Sequence, residues 1–302
     1  MLGKVRKCAR AQVPVLDPVD AILAHHGIEG PWQPLKATGL ANRIYATRDV
    51  VVRIATDHPE AIADARTESV AAPVARAAGV LVPRLIAFDD SRTIVDRPYS
   101  IWERIHGATL GLLPPTGAFV ETWMAVGAQL ARLHRDVRAC PDPKGWLDEP
   151  GREFDLSARI SELTSAPSSA ASAAIEIAGW IDALRPAVTG PSPRYFIHND
   201  VHEMNVMCSD SGELLAVIDW GDAGWGDPTL EFAQVPLEAV PCAVAGYETE
   251  APGTLGDRIE ARIIWDKLGY ALEALPDMRL LSKVRTFLRT GSERWRVVRL
   301  SG

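Results

Sequence analysis

The chain has 302 residues, 47% apolar and 24% charged, with a net charge of −7, which allows a large core and two lobes. No run reaches the roughly 18 apolar residues that cross a bilayer, and the N-terminus lacks a signal peptide's apolar stretch. Cys8, Cys140, Cys208 and Cys242 share no CxxC spacing, so a cytoplasmic protein with reduced thiols is expected, without a disulfide framework or zinc site.

In chain order, "RIYATRDVVVRIAT" (43–56) reads as two strands joined at "TRD", a hairpin pattern. "PEAIADARTESVAAPVARAAGV" (59–80) is alanine-rich and helical, with Pro73 expected to kink or restart it. Residues 82–110 give two more short strands around "DDSR", then a polar crossover. Beyond Gly107 the character turns helical. Phe119, Trp123, Val126, Leu130, Leu133 and Val137 form one apolar stripe, a core helix with His134 at its end as a structural histidine. "TSAPSSAASAA" (164–174) reads as a loop before a helix carrying Ile175, Ile181 and Leu184, and further helices are expected from Asp257 onward. The fold class is therefore α+β. A small antiparallel-sheet lobe (1–104) leads through a connector near 101–107 into a larger, mainly helical lobe (105–302).

Charge is unevenly spread. Between Arg194 and Arg258 there are 12 Asp plus Glu and no Lys or Arg, which argues against nucleic acid and suits metal ions or a cationic small molecule. Glu248, Glu250 and Asp257 read as solvated loop residues. The rest crowd into "FIHNDVHEMNV" (196–206) and "LLAVIDWGDAGWGDPTLEFA" (214–233). Asp200 follows one strand, Asn205 lies five residues on in a tight loop, and Asp219 ends the next apolar run. A hairpin through "CSDSGE" (208–213) brings the three together. Like charges held close need a cation between them. A carboxylate and an amide oxygen suit Mg²⁺ completed by phosphate oxygens, with a further carboxylate left to accept a hydroxyl proton.

The run H-x-D-x-x-x-x-N at 198–205, then "IDW" at 218–220 and "GDP" at 226–228, resembles the aminoglycoside phosphotransferase and choline-kinase-like family, relatives of the protein kinases. The resemblance implies a bilobal protein-kinase-like fold and a kinase that takes ATP or GTP with Mg²⁺. It makes Asp200 the catalytic base, Asn205 and Asp219 the metal ligands, His198 a brace for the loop, and Asp227 the structural aspartate of the turn. Arg53 in "VVVRIA" and Glu68 in "RTES" become the phosphate-gripping pair. Gly39 and Asn42 in "TGLANRIY" form the phosphate-covering turn, and the backbone of Trp102, Glu103 and Arg104 becomes the hinge edge that meets the purine. The family loop has glycine after the histidine and often Pro-Gly before the asparagine; this chain has Asn199 and Glu203-Met204 there, and Glu231 where aspartate often follows "GDP".

Zinc at His198 and His202 lacks the H-E-x-x-H order on a helix. A non-catalytic nucleotide-binding module would be expected to lack Asp200, Asn205 or Asp219. A protein kinase would need an activation segment ending in A-P-E. The expected partner is a small molecule with a hydroxyl, either an antibiotic (aminoglycoside, nucleoside, macrolide or peptide) or a metabolic alcohol such as choline, homoserine or a sugar. Asp222, Glu203 and Trp225 are the candidate acceptor contacts. No nucleic-acid or membrane partner is expected, and the chain is expected to be a monomer or homodimer.

Overall fold

The structure is a computed structural model that describes residues 17–35, 41–114, 119–152, 154–165, 167–189, 193–295 and 297. The first lobe opens with α1 (Pro18–His25), β1 (Gln33–Leu35), β2 (Asn42–Ala46) and β3 (Val50–Ala55). The hairpin expected at "TRD" joins β2 to β3, and Thr47 Oγ1 closes it by accepting from the Asp49 and Val50 amides at 3.3 and 3.1 Å. Next come α2 (Pro59–Ala77), β4 (Leu85–Asp89) and β5 (Tyr99–Glu103), giving a five-stranded antiparallel sheet in the order β1-β2-β3-β5-β4. Val52, Ile54, Tyr99 and Ile101 alternate inward onto Val19, Ile22 and Leu23 of α1.

Helix α2 continues past Pro73 to Ala77 without restarting. The proline ring forfeits one backbone bond. The helix persists because Ala71, Ala72 and Ala75 are buried on its far side against Leu133, Val137, Phe196 and Trp220 of the second lobe. Alanine keeps that face flat enough for the two lobes to meet along it.

The second lobe follows with β6 (Ala108–Thr109), α3 (Phe119–Asp136), α4 (Leu156–Thr164), α5 (Ser169–Val188), β7 (Tyr195–Ile197), β8 (Val206–Cys208), β9 (Leu214–Val217), β10 (Gly224–Gly226), α6 (Val240–Glu250), α7 (Ile259–Glu273) and α8 (Arg279–Thr290). Trp123, Val126 and Leu130 of α3 are buried as the stripe requires, in a core shared with α5, α6 and α7. The stretch 169–174, expected as loop, is the first turn and a half of α5, started by Ser168 Oγ accepting from the Ala171 amide. Ile175 in that helix is 63% exposed, while Ile181 and Leu184 are buried. Glu248 and Glu250 sit in α6 and pair with Arg294 and Arg135, so they are not solvated loop residues. Two small antiparallel sheets, β6-β8-β9 and β10-β7, carry the acidic motif up to α2, where Trp220 and Gly221 meet Glu68 and Asp64. No helix among the described residues is long and apolar enough to cross a membrane.

Candidate active site

The site is built on the loops that follow β7 and β9. His198, fully buried, receives the Asp200 amide on Nδ1 at 3.2 Å and sits 3.0 Å from the Ile218 carbonyl through Nε2. One ring thereby ties the Asp200 loop to the Asp219 loop. Asn199, with φ +68°, and Asp219, with φ +67°, are both left-handed. Asn and Asp are the non-glycine residues that enter this region most readily. That explains how Asn199 replaces the family's glycine without loss of the turn.

Asn205 turns its amide nitrogen onto Asp200, donating to the backbone carbonyl at 2.9 Å and to Oδ2 at 2.8 Å. His202 Nε2 lies 3.4 Å from the same Oδ2, and that contact raises the imidazole pKa above its usual value. Asp200 therefore has one oxygen held from two sides, and its Oδ1 has no hydrogen bond among the described residues.

Across the cleft, Arg53 on β3 spans two carboxylates. Its Nη1 reaches both Glu68 oxygens at 2.7 Å, and its Nη2 reaches Asp219 Oδ1 at 2.9 Å. The Arg53 charge holds the Asp219 carboxyl below its usual range, whereas burial lifts the Glu68 carboxyl to about 7 against the pull of Arg53. Glu68 Oε1 also accepts the Trp220 amide at 3.4 Å. The cation that the 195–257 interval lacks thus arrives from the other lobe.

Two acids were not foreseen here. Asp64 lies one helical turn before Glu68, a spacing that puts both on one face, and Gly221 passes so close that a Cβ there would stand 2.6 Å from Asp64 Cβ. Asp148 comes from the loop after α3. Partial burial, then the charges of Asp200, Asp64, Asp219 and Asp148, push Asp222 up to about 7, although its side chain is exposed. Burial and Asp219 likewise push Asp64 up to about 6.

Asp227 caps the short 3₁₀ turn Pro228–Phe232 through the Thr229 amide and is clamped by Arg152, at 2.7 Å, and by Arg262. Although burial opposes them, the two guanidinium groups hold its carboxyl far below the carboxylate range. Glu231, wholly buried, accepts the His198 and Asn199 amides at 2.8 and 2.9 Å and lies 3.2 Å from His134 Nε2. It anchors the entry to the Asp200 loop, a role the sequence signalled only through its position after "GDP". His134 is the buried structural histidine expected, with Nδ1 2.7 Å from the Tyr247 hydroxyl.

Of the remaining candidates, Glu203 takes the Gly111 amide on its carbonyl at 2.9 Å, and its side chain lines a cavity of about 220 Å³ with Leu110, Phe119, Glu238 and Lys283. Trp225 lies in β10 with its ring edge-on to Phe196 at 5.5 Å. Asn42 starts β2 opposite Ala55, and Gly39 lies outside the described residues. The Trp102 indole donates to Ser100 Oγ at 2.8 Å. The amides of Glu103 and Arg104, expected to face a purine, already donate to the Arg84 and Asp49 carbonyls at 2.9 Å, because the end of β5 is paired on both sides. Those two amides are therefore not free for a base, while the next amides, of Ile105 and His106, have no hydrogen-bond partner among the described residues.

Among the described residues no three His, Cys, Asp or Glu converge as a self-sufficient metal site. Asn205 Oδ1 and the second oxygen of Asp219, whose side chain is 47% exposed, offer two hard donors. Such a pair fits a cation that takes the rest of its shell from phosphate oxygens and water, as Mg²⁺ does.

The model of the phosphotransferase enzyme family matches residues 35–271. Among solved structures, a choline/ethanolamine kinase family protein from Mesorhizobium loti is 19% identical with a TM-score of 0.58, over 94% of this chain and 100% of that one. The GDP and kanamycin complex of APH(2")-IIia is 17% identical with a TM-score of 0.58, over 90% and 96%. The streptomycin-ATP-APH(2")-IIa ternary complex is 16% identical with a TM-score of 0.55, over 95% and 99%. No curated protein matches by sequence. The fold is accordingly the bilobal, kinase-like α+β architecture expected.

Proposed function

We propose that this chain, which belongs to the phosphotransferase enzyme family, moves the γ-phosphate of ATP or GTP to a hydroxyl of a cationic antibiotic. The observation that carries the reading is the Asp200 carboxylate, fixed through one oxygen by Asn205 and His202 beside the Arg53–Asp219 pair. Residues 1–104 form the nucleotide lobe and 105–302 the lobe that holds the acceptor.

In this reading Asp200 Oδ1 accepts the acceptor's hydroxyl hydrogen bond and orients its oxygen toward phosphorus. As the new O–P bond forms, the bond to the bridging oxygen breaks, the nucleoside diphosphate leaves, and the hydroxyl proton passes to Asp200. Arg53 holds phosphate oxygens while Glu68 keeps its guanidinium aimed. Asn205 and Asp219 would hold Mg²⁺, which when bound neutralises charge on the β- and γ-phosphates. The purine meets the backbone at Ile105–His106. Asp222 and Glu203, with Trp225 at the rim, meet the acceptor. The acids at 64, 148 and 222 supply the potential that draws in an ammonium group.

The test incubates the purified protein with ATP or GTP, Mg²⁺ and a panel of antibiotics and metabolic alcohols, and scores a mass gain of one phosphate. The panel includes kanamycin, streptomycin and choline, since structurally similar proteins include a kanamycin complex, a streptomycin complex and a choline/ethanolamine kinase family protein. Asp200→Ala is expected to abolish transfer while nucleotide still binds, and Asp219→Ala to weaken Mg²⁺-dependent nucleotide binding. Full transfer by Asp200→Ala would remove Asp200 from the mechanism. Transfer to choline, homoserine or a sugar alone would make the enzyme metabolic.

A further inference from the structure

The loop after α3 belongs to the second lobe, yet its tip rests on the first. Asp142 ties the tip into a compact turn by accepting the Trp146 and Leu147 amides, both at 2.9 Å. The Trp146 carbonyl receives the Thr67 hydroxyl from α2. The Trp146 ring meets Phe88 edge-on at 5.8 Å, with the Arg66 guanidinium 5.7 Å and the Lys144 ammonium 4.4 Å from its centre. Leu147 and Cys140 pack into the apolar cluster shared by the two lobes.

The same segment then grips the acidic strand. The Asp148 amide donates to the Ala223 carbonyl at 3.2 Å, and Asp148 pairs in parallel with Gly224. A Cβ on Gly224 would stand 2.1 Å from the Asp148 carbonyl oxygen, so the approach demands glycine. Arg152 completes the tether on Asp227 and Asp266, at 2.7 and 2.9 Å.

One loop therefore holds both the helix that carries Glu68 and the segment that carries Asp219. Thr67 and Glu68 are adjacent on α2 and point about 100° apart: Thr67 out to the loop, Glu68 in to Arg53. Rotating α2 by about 20° would carry the Glu68 carboxylate roughly 2 Å, at the 5–6 Å radius of a helical side chain. That displacement breaks a two-oxygen contact made at 2.7 Å.

We propose that residues 140–150 are a strap that sets the rotation of α2, and that Trp146 and Thr67 are positioning residues for phosphoryl transfer, acting through Glu68 on Arg53. The inference rests on the phosphate-handling reading of Arg53, Glu68 and Asp219.

The experiment is a kinetic double-mutant cycle on the full chain with Mg²⁺ and ATP, supported by hydrogen exchange of α2. Trp146→Ala is expected to lower kcat about 10- to 100-fold, the scale of a roughly 1 Å misplacement. In a Glu68→Gln background the same change should cost less than about twofold, because the lever it acts through is gone. Trp146→Phe, which keeps a ring against Phe88, should restore most of kcat. Should Trp146→Ala fold poorly, Thr67→Val deletes only the hydroxyl and gives the same cycle. Amides of α2, and not those of α3, should exchange faster in Trp146→Ala. Equal losses in both backgrounds, or unaltered kcat, would overturn the positioning role. Unaltered exchange in α2 would overturn the strap itself. A wild-type protein with no nucleotide turnover would defeat the phosphotransfer reading, and the exchange comparison would still decide the strap.

Discussion

Glu231 is the buried post on which the Asp200 loop hangs, and Glu231→Gln is the sharpest probe of that role. Each carboxylate oxygen accepts one backbone amide, from His198 and Asn199, at 2.8 and 2.9 Å. Hydrogen bonds to charged acceptors contribute about 1.5–3 kcal/mol, and a buried donor left without an acceptor costs about 1–3 kcal/mol. The glutamine keeps one oxygen and turns an NH₂ group toward the other amide, so the expected loss is about 2–4 kcal/mol. At about 2.1 cal/mol/K of unfolding entropy per residue, the 302-residue chain has about 0.6 kcal/mol/K, and the midpoint should fall by about 3–7 °C. Asp200 follows these two amides directly, so kcat should also drop, by about 10- to 100-fold for a loop shift near 1 Å. The nucleotide KM should move far less, since Arg53 and Glu68 are untouched. Thermal melts with steady-state kinetics check both numbers. Tyr247→Phe removes only the hydroxyl 2.7 Å from the far nitrogen of His134 and serves as the mild control. A Glu231→Gln protein melting within about 1 °C of wild type at full kcat would refute the anchoring argument.

Three further outcomes follow from the same geometry. Arg152→Met strands the buried Asp266 carboxylate, whose pKa burial already raises to about 7, and should cost about 3–5 kcal/mol by chemical denaturation. Arg152→Met with Asp266→Asn should recover much of the loss; strict additivity would show that the pair does not act as a unit. Arg53→Lys replaces a fork that spans Glu68 and Asp219 with a point charge, so kcat/KM for nucleotide should fall about 10- to 100-fold, equal to roughly 1.4–2.8 kcal/mol. Asp222, pushed up to about 7, and Asp64, to about 6, bind protons more tightly folded than unfolded. Their stabilising contribution is therefore full below about pH 4 and lost as pH rises through 6 to 7. Melting of the free protein against pH should show that decline, shallow because Asp222 is exposed to water. Asp222→Asn should flatten it, and an unchanged slope in that variant would acquit Asp222.

The candidate catalytic motif was legible as a cluster because it is local. His198, Asp200, Asn205 and Asp219 lie within one strand-loop-hairpin unit, and their spacing alone predicts that they meet. What held that unit in place was not legible. Glu231 reaches back 33 residues to His198, Arg152 reaches 75 to Asp227, and the Trp146 carbonyl is met from 79 residues away by Thr67. Each is a long-range polar contact closed by the fold, with no periodic pattern to announce it. Pro73 and Ile175 show the same limit of local rules. Local rules give a proline its cost and an isoleucine its preference for the interior, but the packing partner decides. The buried alanine face carried α2 past Pro73, and the other face of α5 took the core and left Ile175 in water. The acidic interval makes the same point about charge. Its own sequence contains no cation, and Arg53, Arg152 and Arg262 enter from outside it. They serve Asp219 and Asp227 and leave Asp64, Asp148 and Asp222 without a guanidinium partner among the described residues. The acids left over once the structural pairs are satisfied are ones the motif does not contain, and under the proposed function they are the groups that would select a cationic acceptor.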